Sequence, residues 1–124
     1  MTDLIQTADV LAADVEKLAG ALLVLSQTQI AKYIAVLGKG GISSEESIAD
    51  AEARIAANTA VREAMAKLDA LLDEVHLSSS KKEFEHMLDL CNRSRDTIRL
   101  ARREMARATS MGQPLPFVSD RPQS

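Results

Sequence analysis

Aromatic residues are nearly missing from this chain: there is no tryptophan, one tyrosine (Tyr33) and two phenylalanines (Phe84 and Phe117). Any core it builds is therefore aliphatic, and a surface that stacks the bases of single strands on aromatic platforms is disfavoured. Cysteine is limited to Cys91, which excludes an internal disulfide and suits a reducing compartment. Proline first occurs at position 114, so no obligate helix breaker stands before it. Long apolar runs are lacking too. The most apolar stretch, LAGALLVL from Leu18 to Leu25, falls far short of the roughly 20 residues that span a bilayer. Acidic residues stand near the N-terminus where a secretory signal is basic. The expectation is a cytoplasmic protein with no membrane span.

What is present is helical pattern. At 124 residues, 46% hydrophobic and 27% charged, the chain suits one domain with a modest core and is not of disordered composition. Leu4, Ala8, Leu11, Val15, Leu18, Leu22, Leu25 and Gln29 recur at spacings of four and three, one stripe of a helix. A second stripe runs beside it through Ile5, Ala12, Ala19, Leu23, Ser26, Ile30, Tyr33 and Leu37. Two adjacent stripes are too wide for one partner helix, so this helix should touch two neighbours.

Turn chemistry divides the rest. Thr2 is placed to cap the first helix, and Gly38 in GKGG to close it in a left-handed conformation. Ser43 with Glu46, and Ser80 with Glu83, have capping-box spacing and start the second and third helices. Helices are thus expected over about 3–37, 44–76 and 81–110, within a bundle of residues 1–111. A Pro-containing tail, 112–124, carries the apolar LPFV of Leu115–Val118. The second helix has the stripe Ile48, Ala51, Ile55, Asn58, Val61, Met65, Leu68, Leu72 and Val75. Asn58 within it is either a part-exposed position or a buried amide that fixes register. The third helix has Phe84, Met87, Leu88, Cys91, Ser94, Ile98, Ala101, Met105 and Ala108. Together these predict an all-α fold, an elongated up-down-up three-helix bundle with coiled-coil-like packing. Spare apolar surface on the first helix, at Leu11, Leu18 and Leu25, suits pairing with another chain or with a second copy as a homodimer.

Charge is uneven. Up to Ser80 there are six basic residues against twelve acidic; from Lys81 onward there are nine against six. The excess concentrates in Arg93, Arg95, Arg99, Arg102, Arg103 and Arg107, offset between the first and last only by Asp96 and Glu104. On a helical wheel all six fall away from the stripe of Phe84, Cys91, Ile98 and Met105. Guanidinium groups along one helix side can grip carboxylates bidentately or neutralise phosphates. The alternative is a solvated face whose arginines pair with the bundle's own acids.

Catalytic constellations are not apparent, so no catalytic residue, metal ligand or cofactor is expected. Asp73 with His76, and Glu83 with His86, have the spacing of carboxylate-bridged metal sites in bundles. The first helix offers only Asp3, Asp9, Asp14 and Glu16 to complete one, mostly on its polar side, and surface histidines explain the pattern better. Cys91 sits on an apolar stripe, where a thiol packs as a small hydrophobe. GKGG has neither the strand before it nor the Lys-Ser/Thr after it that a phosphate loop needs. The expected function is a non-enzymatic protein-interaction module of adaptor, chaperone or regulatory inhibitor type. It would bind a partner protein through an exposed apolar helix face and the Arg-rich third helix. The alternative is a nucleic-acid-associated protein that sets the same arginines against phosphate backbones.

Overall fold

The computed structural model describes the backbone of residues 2–78 and 80–114 and the side chains of residues 4–75 and 80–114. The described chain is all-helical: α1 spans Thr2–Val36, α2 Ser44–Ser78 and α3 Lys81–Met111. The α1 boundary differs at its end. The chain tightens into a 3₁₀ turn at Leu37–Lys39, and the left-handed residue is Gly40, with φ of 100°, rather than Gly38. Gly41 follows at φ of 80°. Both are conformations that a Cβ disfavours. Ser43 Oγ accepts the Glu46 amide at 3.2 Å to start α2, and the Glu46 carboxylate reaches across to Lys32 Nζ at 2.9 Å. At α3 both halves of the Ser80–Glu83 capping box form. The Thr2 side chain, like the LPFV segment, lies outside the described residues.

The helices pack as three neighbours. α1 lies along both α2 and α3, most extensively along α3, whereas α2 and α3 touch each other least. Cross-helix contacts give the directions: Asp9 meets His86 and Tyr33 meets Gly112, so α1 and α3 run the same way. Ser47 meets Gly112 and Asp69 meets Arg95, so α2 runs against α3. The core is aliphatic as composition requires: Val15, Ala19 and Leu22 of α1, Val61, Leu68 and Val75 of α2, and Met87, Cys91 and Ile98 of α3 are buried. Ala8, Ala12 and Ala19 are buried on α1, where small side chains let helix axes approach closely. A second, smaller cluster of Ile30, Tyr33, Ile42 and Ala108 closes the end where the first turn meets the end of α3.

The apolar stripe of α2 needs correction in its first turns. Val61, Met65, Leu68 and Val75 are buried, but Ile48 and Ile55 are 60% and 58% exposed, and Arg54 is buried in their stead. The spacing of three on both sides of Asn58 breaks the seven-residue repeat, so that at about 100° per residue Ile48 and Ile55 lie roughly 120–180° around the helix from Val61, Leu68 and Val75. Its early members therefore lie off the side that faces α1. Leu88 of α3 is likewise exposed. Asn58 is half-buried at the α2–α3 boundary, where its Oδ1 accepts from Arg102 Nε at 2.9 Å. Among the described residues no helix is both long and apolar enough to cross a membrane.

This register is tested by a pair of substitutions compared in urea unfolding. Leu68→Ala should cost about 2–5 kcal/mol as a fully buried truncation, and Ile55→Ser should stay within about 0.5 kcal/mol. Comparable losses at both positions would return Ile55 to the core.

Candidate functional site

Local helix geometry sorts the arginines of α3 into two groups. Arg95, Arg99 and Arg102 follow one another at spacings of four and three, beside Ile98, and turn toward α2. There they meet Arg62, Met65 and Asp69 and line an open groove between the two helices. The cleft on its α2 side holds about 500 Å³. Its floor is apolar, made by Met65 and Ile98, both less than 10% exposed. Its walls carry four guanidinium groups against the carboxylates of Glu63 and Asp69. The groove exists because α2 and α3 are each held to α1 and only weakly to one another.

Arg93 and Arg107 lie elsewhere on α3 and pair locally, with Asp89 at 3.0 Å and Glu104 at 3.8 Å; Arg103 is exposed. The groove arginines have partners as well. Arg95 pairs with Asp69, Arg99 with Asp96 at 2.8 Å, and Arg102 with the Asn58 amide. These contacts are solvent-exposed, and such pairs contribute about 0–1 kcal/mol each. They orient the guanidinium groups without committing them. The single-helix view missed Arg62. Its signal is the α2 spacing Ile55, Thr59, Arg62, Ala66 and Asp69, a face invisible until α3 is known to lie beside it.

A second constellation sits at the turn end of the bundle. Arg54 is only 2% exposed, and its Nη1 donates to Gln29 Oε1 at 2.6 Å and to Tyr33 Oη at 3.0 Å. Tyr33 Oη donates to Asp50 Oδ2 at 2.8 Å, and Lys32 Nζ donates to the same oxygen at 2.6 Å. Gln29 Nε2 donates to the Asp50 carbonyl at 3.2 Å. The buried guanidinium thus meets its carboxylate through a phenol hydroxyl. Burial works against ionisation of Asp50, but the hydrogen bonds from Lys32 and Tyr33 and the charges of Lys32 and Arg54 outweigh it, so its carboxyl lies below the ordinary value. Burial and the Asp50 hydrogen bond push the Tyr33 phenol up. Burial lowers the Lys32 ammonium, yet its bonds to Asp50 and Glu46 raise it on balance. Ser47 Oγ donates to the Gly112 carbonyl at 2.6 Å, tying the end of α3 to the start of α2. This network ties α1 to α2, and the Ser47–Gly112 contact adds the end of α3, so it acts as a lock.

The remaining expected residues fall in the fold itself. Leu11, Leu18 and Leu25 are half-buried, and Leu11 and Leu18 pack against the intramolecular core. Cys91 is fully buried; burial, with Asp69 adding to it and Arg95 opposing, pushes its thiol up and away from nucleophilic use. His86 meets Asp9 at 3.2 Å, and Glu83 serves the cap, while the His76 side chain lies outside those described. Among the described residues no group of three or more His, Cys, Asp and Glu is placed to hold a metal. No protein-family model, no curated protein and no solved structure matches the chain.

Two outcomes follow from the lock. A carboxyl held below its ordinary value near 3.8 stabilises the fold fully above that value and loses its contribution as pH falls below it. Urea midpoints should therefore drop from neutral pH to about pH 3, and Asp50→Asn should be weaker at neutral pH and flatter across that range. An Asp50→Asn slope equal to that of the parent would remove Asp50 from the balance. At Gly112, φ is −83°, and a Cβ would stand 2.8 Å from the Tyr33 ring, which its hydrogen bonds hold in place. Gly112→Ala should cost about 1–3 kcal/mol, and an unchanged unfolding midpoint would show that Tyr33 can move aside.

Proposed function

We propose that this chain is a non-enzymatic protein-interaction module whose working surface is the α2–α3 groove, and that the occupant is an acidic amphipathic helix of a partner protein. The observation that carries the reading is the lining of that groove: Arg62, Arg95, Arg99 and Arg102 over Met65 and Ile98. An apolar stripe set on the floor and carboxylates set against the walls would turn three helices into four, the packing that helix-in-groove recognition uses. The exposed pairs already made by the arginines are weak enough to be exchanged for a partner's carboxylates, and complementary charge speeds encounter and selects the partner. One buried, free cysteine accords with action in the cytoplasm.

Phosphate backbones are the lesser occupant. The six arginines of α3 divide between two sides, Glu63 and Asp69 stand inside the groove, and the net charge is −3. A continuous row of phosphates would meet those carboxylates at close range. Pairing of two copies through coiled-coil-like contacts along α1 draws on Leu11, Leu18 and Leu25, whose part burial leaves only their outer edges for it.

The test uses a labelled synthetic helix of about 21 residues, six turns, with leucine at every third and fourth position and glutamate beside it. It should bind the full chain, and Arg99→Glu with Arg102→Glu should weaken it about tenfold or more, while far-ultraviolet circular dichroism stays unchanged. Tighter binding of a lysine-flanked helix would overturn the reading. So would preferential binding of duplex DNA that falls steeply between about 50 and 200 mM salt, or a dimer whose interface covers the groove.

A further inference from the structure

α1 has three sides. One meets α2, one meets α3, and the third points away from both, opposite the α2–α3 groove. Along that third side, positions 10, 14, 17, 21, 24, 28, 31 and 35 alternate spacings of four and three, and all are exposed. The outer sides of α2 and α3 carry exposed charge, as at Glu63 and Lys67 on α2 and Arg93 and Arg103 on α3, which is ordinary for a helix side in water. The outer side of α1 does not. From Leu18 to Leu37 the chain holds one charged residue, Lys32, and it is drawn aside to Asp50 and Glu46. Exposed aliphatic groups stand there instead: Val24 at 62% and Ile34 at 54%, with Val10 at 67% nearer the start of the helix. A neutral strip of this kind marks a contact surface. Its cover must be neutral too, since a charged helix would lose hydration there and gain no counter-charge.

We propose that the cover is a second copy of this chain, the two α1 helices lying antiparallel about a twofold axis between Ala21 and Val24. The spacings of the stripe read the same from either end about that axis, so the strip is complementary to itself. Each large exposed side chain then faces a small one. Val10 meets the second copy's Ala35, Val24 meets its Ala21, and Ile34, on the flank, meets its Ala13. Polar groups are matched as well. Lys17 falls opposite Thr28, whose hydroxyl accepts from an ammonium. Asp14 falls beside Lys32, which gives two of its three donors to Asp50 and Glu46 and has one more to give. A parallel pair would set Asp14 against Asp14 and Lys17 against Lys17, and such like-charge contacts are costly. The strip is about 38 Å long and about 10 Å wide, so the two copies cover on the order of 800 Å², the size of a weak, reversible contact. The α2–α3 groove lies on the far side of each copy and stays open, so the dimer stands apart from the reading of that groove and presents two of them, facing opposite ways.

The test is sedimentation equilibrium of the full chain from about 5 to 500 μM, the range of a weak contact. The mass should rise from 13.4 kDa toward twice that value. Val24→Glu and Ala21→Glu each bring two carboxylates together at the axis and should raise the dissociation constant about tenfold or more. Both positions are exposed, so far-ultraviolet circular dichroism should not change. Register is read by oxidative cysteine pairing. A mixture of Lys17→Cys and Thr28→Cys chains should give a covalent dimer and neither variant alone should, buried Cys91 taking no part. Should a glutamate lower helicity, this pairing decides by itself. A parent that stays at 13.4 kDa throughout would overturn the proposal. So would a dimer that survives both glutamates, or a Lys17→Cys chain that links to its own kind. A dimer weakened by Arg99→Glu with Arg102→Glu, and not by Val24→Glu, would put the contact in the groove and overturn both readings.

Discussion

The geometry of the bundle depends on one buried charge. Arg54 stands among helices where an unpaired guanidinium would be strongly unfavourable. It is tolerated because Gln29 and Tyr33 accept from it and Tyr33 passes the contact on to Asp50. Such an arrangement admits one rotation of α2 about its axis. Turning α2 by one residue, about 100°, would carry Arg54 away from both acceptors and leave Tyr33 and Gln29 unpaired in the interior. An aliphatic core alone discriminates poorly between such rotations, because leucine, valine and methionine tolerate exchange of neighbours.

Fixing that rotation has effects at a distance. With Arg54 and Asp50 turned toward α1, the isoleucines at 48 and 55 must face outward, and Arg62 must follow them on the same face. The groove between α2 and α3 is therefore a consequence of the lock as much as of the arginines that line it. The same end of the molecule seats Gly112, whose lack of a side chain lets α3 finish against the Tyr33 ring. One polar network thus sets the rotation of α2, the end point of α3 and the place from which residues 113 onward depart.

The basic surface illustrates how weak contacts leave side chains exchangeable. Arg95, Arg99 and Arg102 each have a carboxylate or amide partner, and none of those contacts is buried. Held loosely, the guanidinium groups keep their orientation and remain able to change partner. The buried network does the opposite: Gln29, Tyr33, Asp50 and Lys32 are tied to one another or to Arg54, and among them the Asp50 carboxyl is lowered while the Tyr33 phenol and the Lys32 ammonium are raised. Burial decides which of two chemically similar clusters is scaffold and which is surface.

The sequence alone determined the three helices of the described chain and, to within about two residues, their extents, though not which glycine closes α1. Local rules govern these: period-3.6 apolar spacing, the Ser80–Glu83 box and the glycines after α1. It also determined that α1 must touch two neighbours, because its apolar face is wider than one helix covers. Only the tertiary structure decided which way α2 is rotated, and so that Ile48 and Ile55 are outside and Arg54 inside. Hydropathy ranks arginine as a surface residue, and nothing in one helix reveals that acceptors from α1 will meet it. The six arginines of α3 were legible as a basic helix, yet their division into groove and open side required the position of α2. A groove belongs to two helices at once, and the residues that make it become neighbours only when the chain has folded.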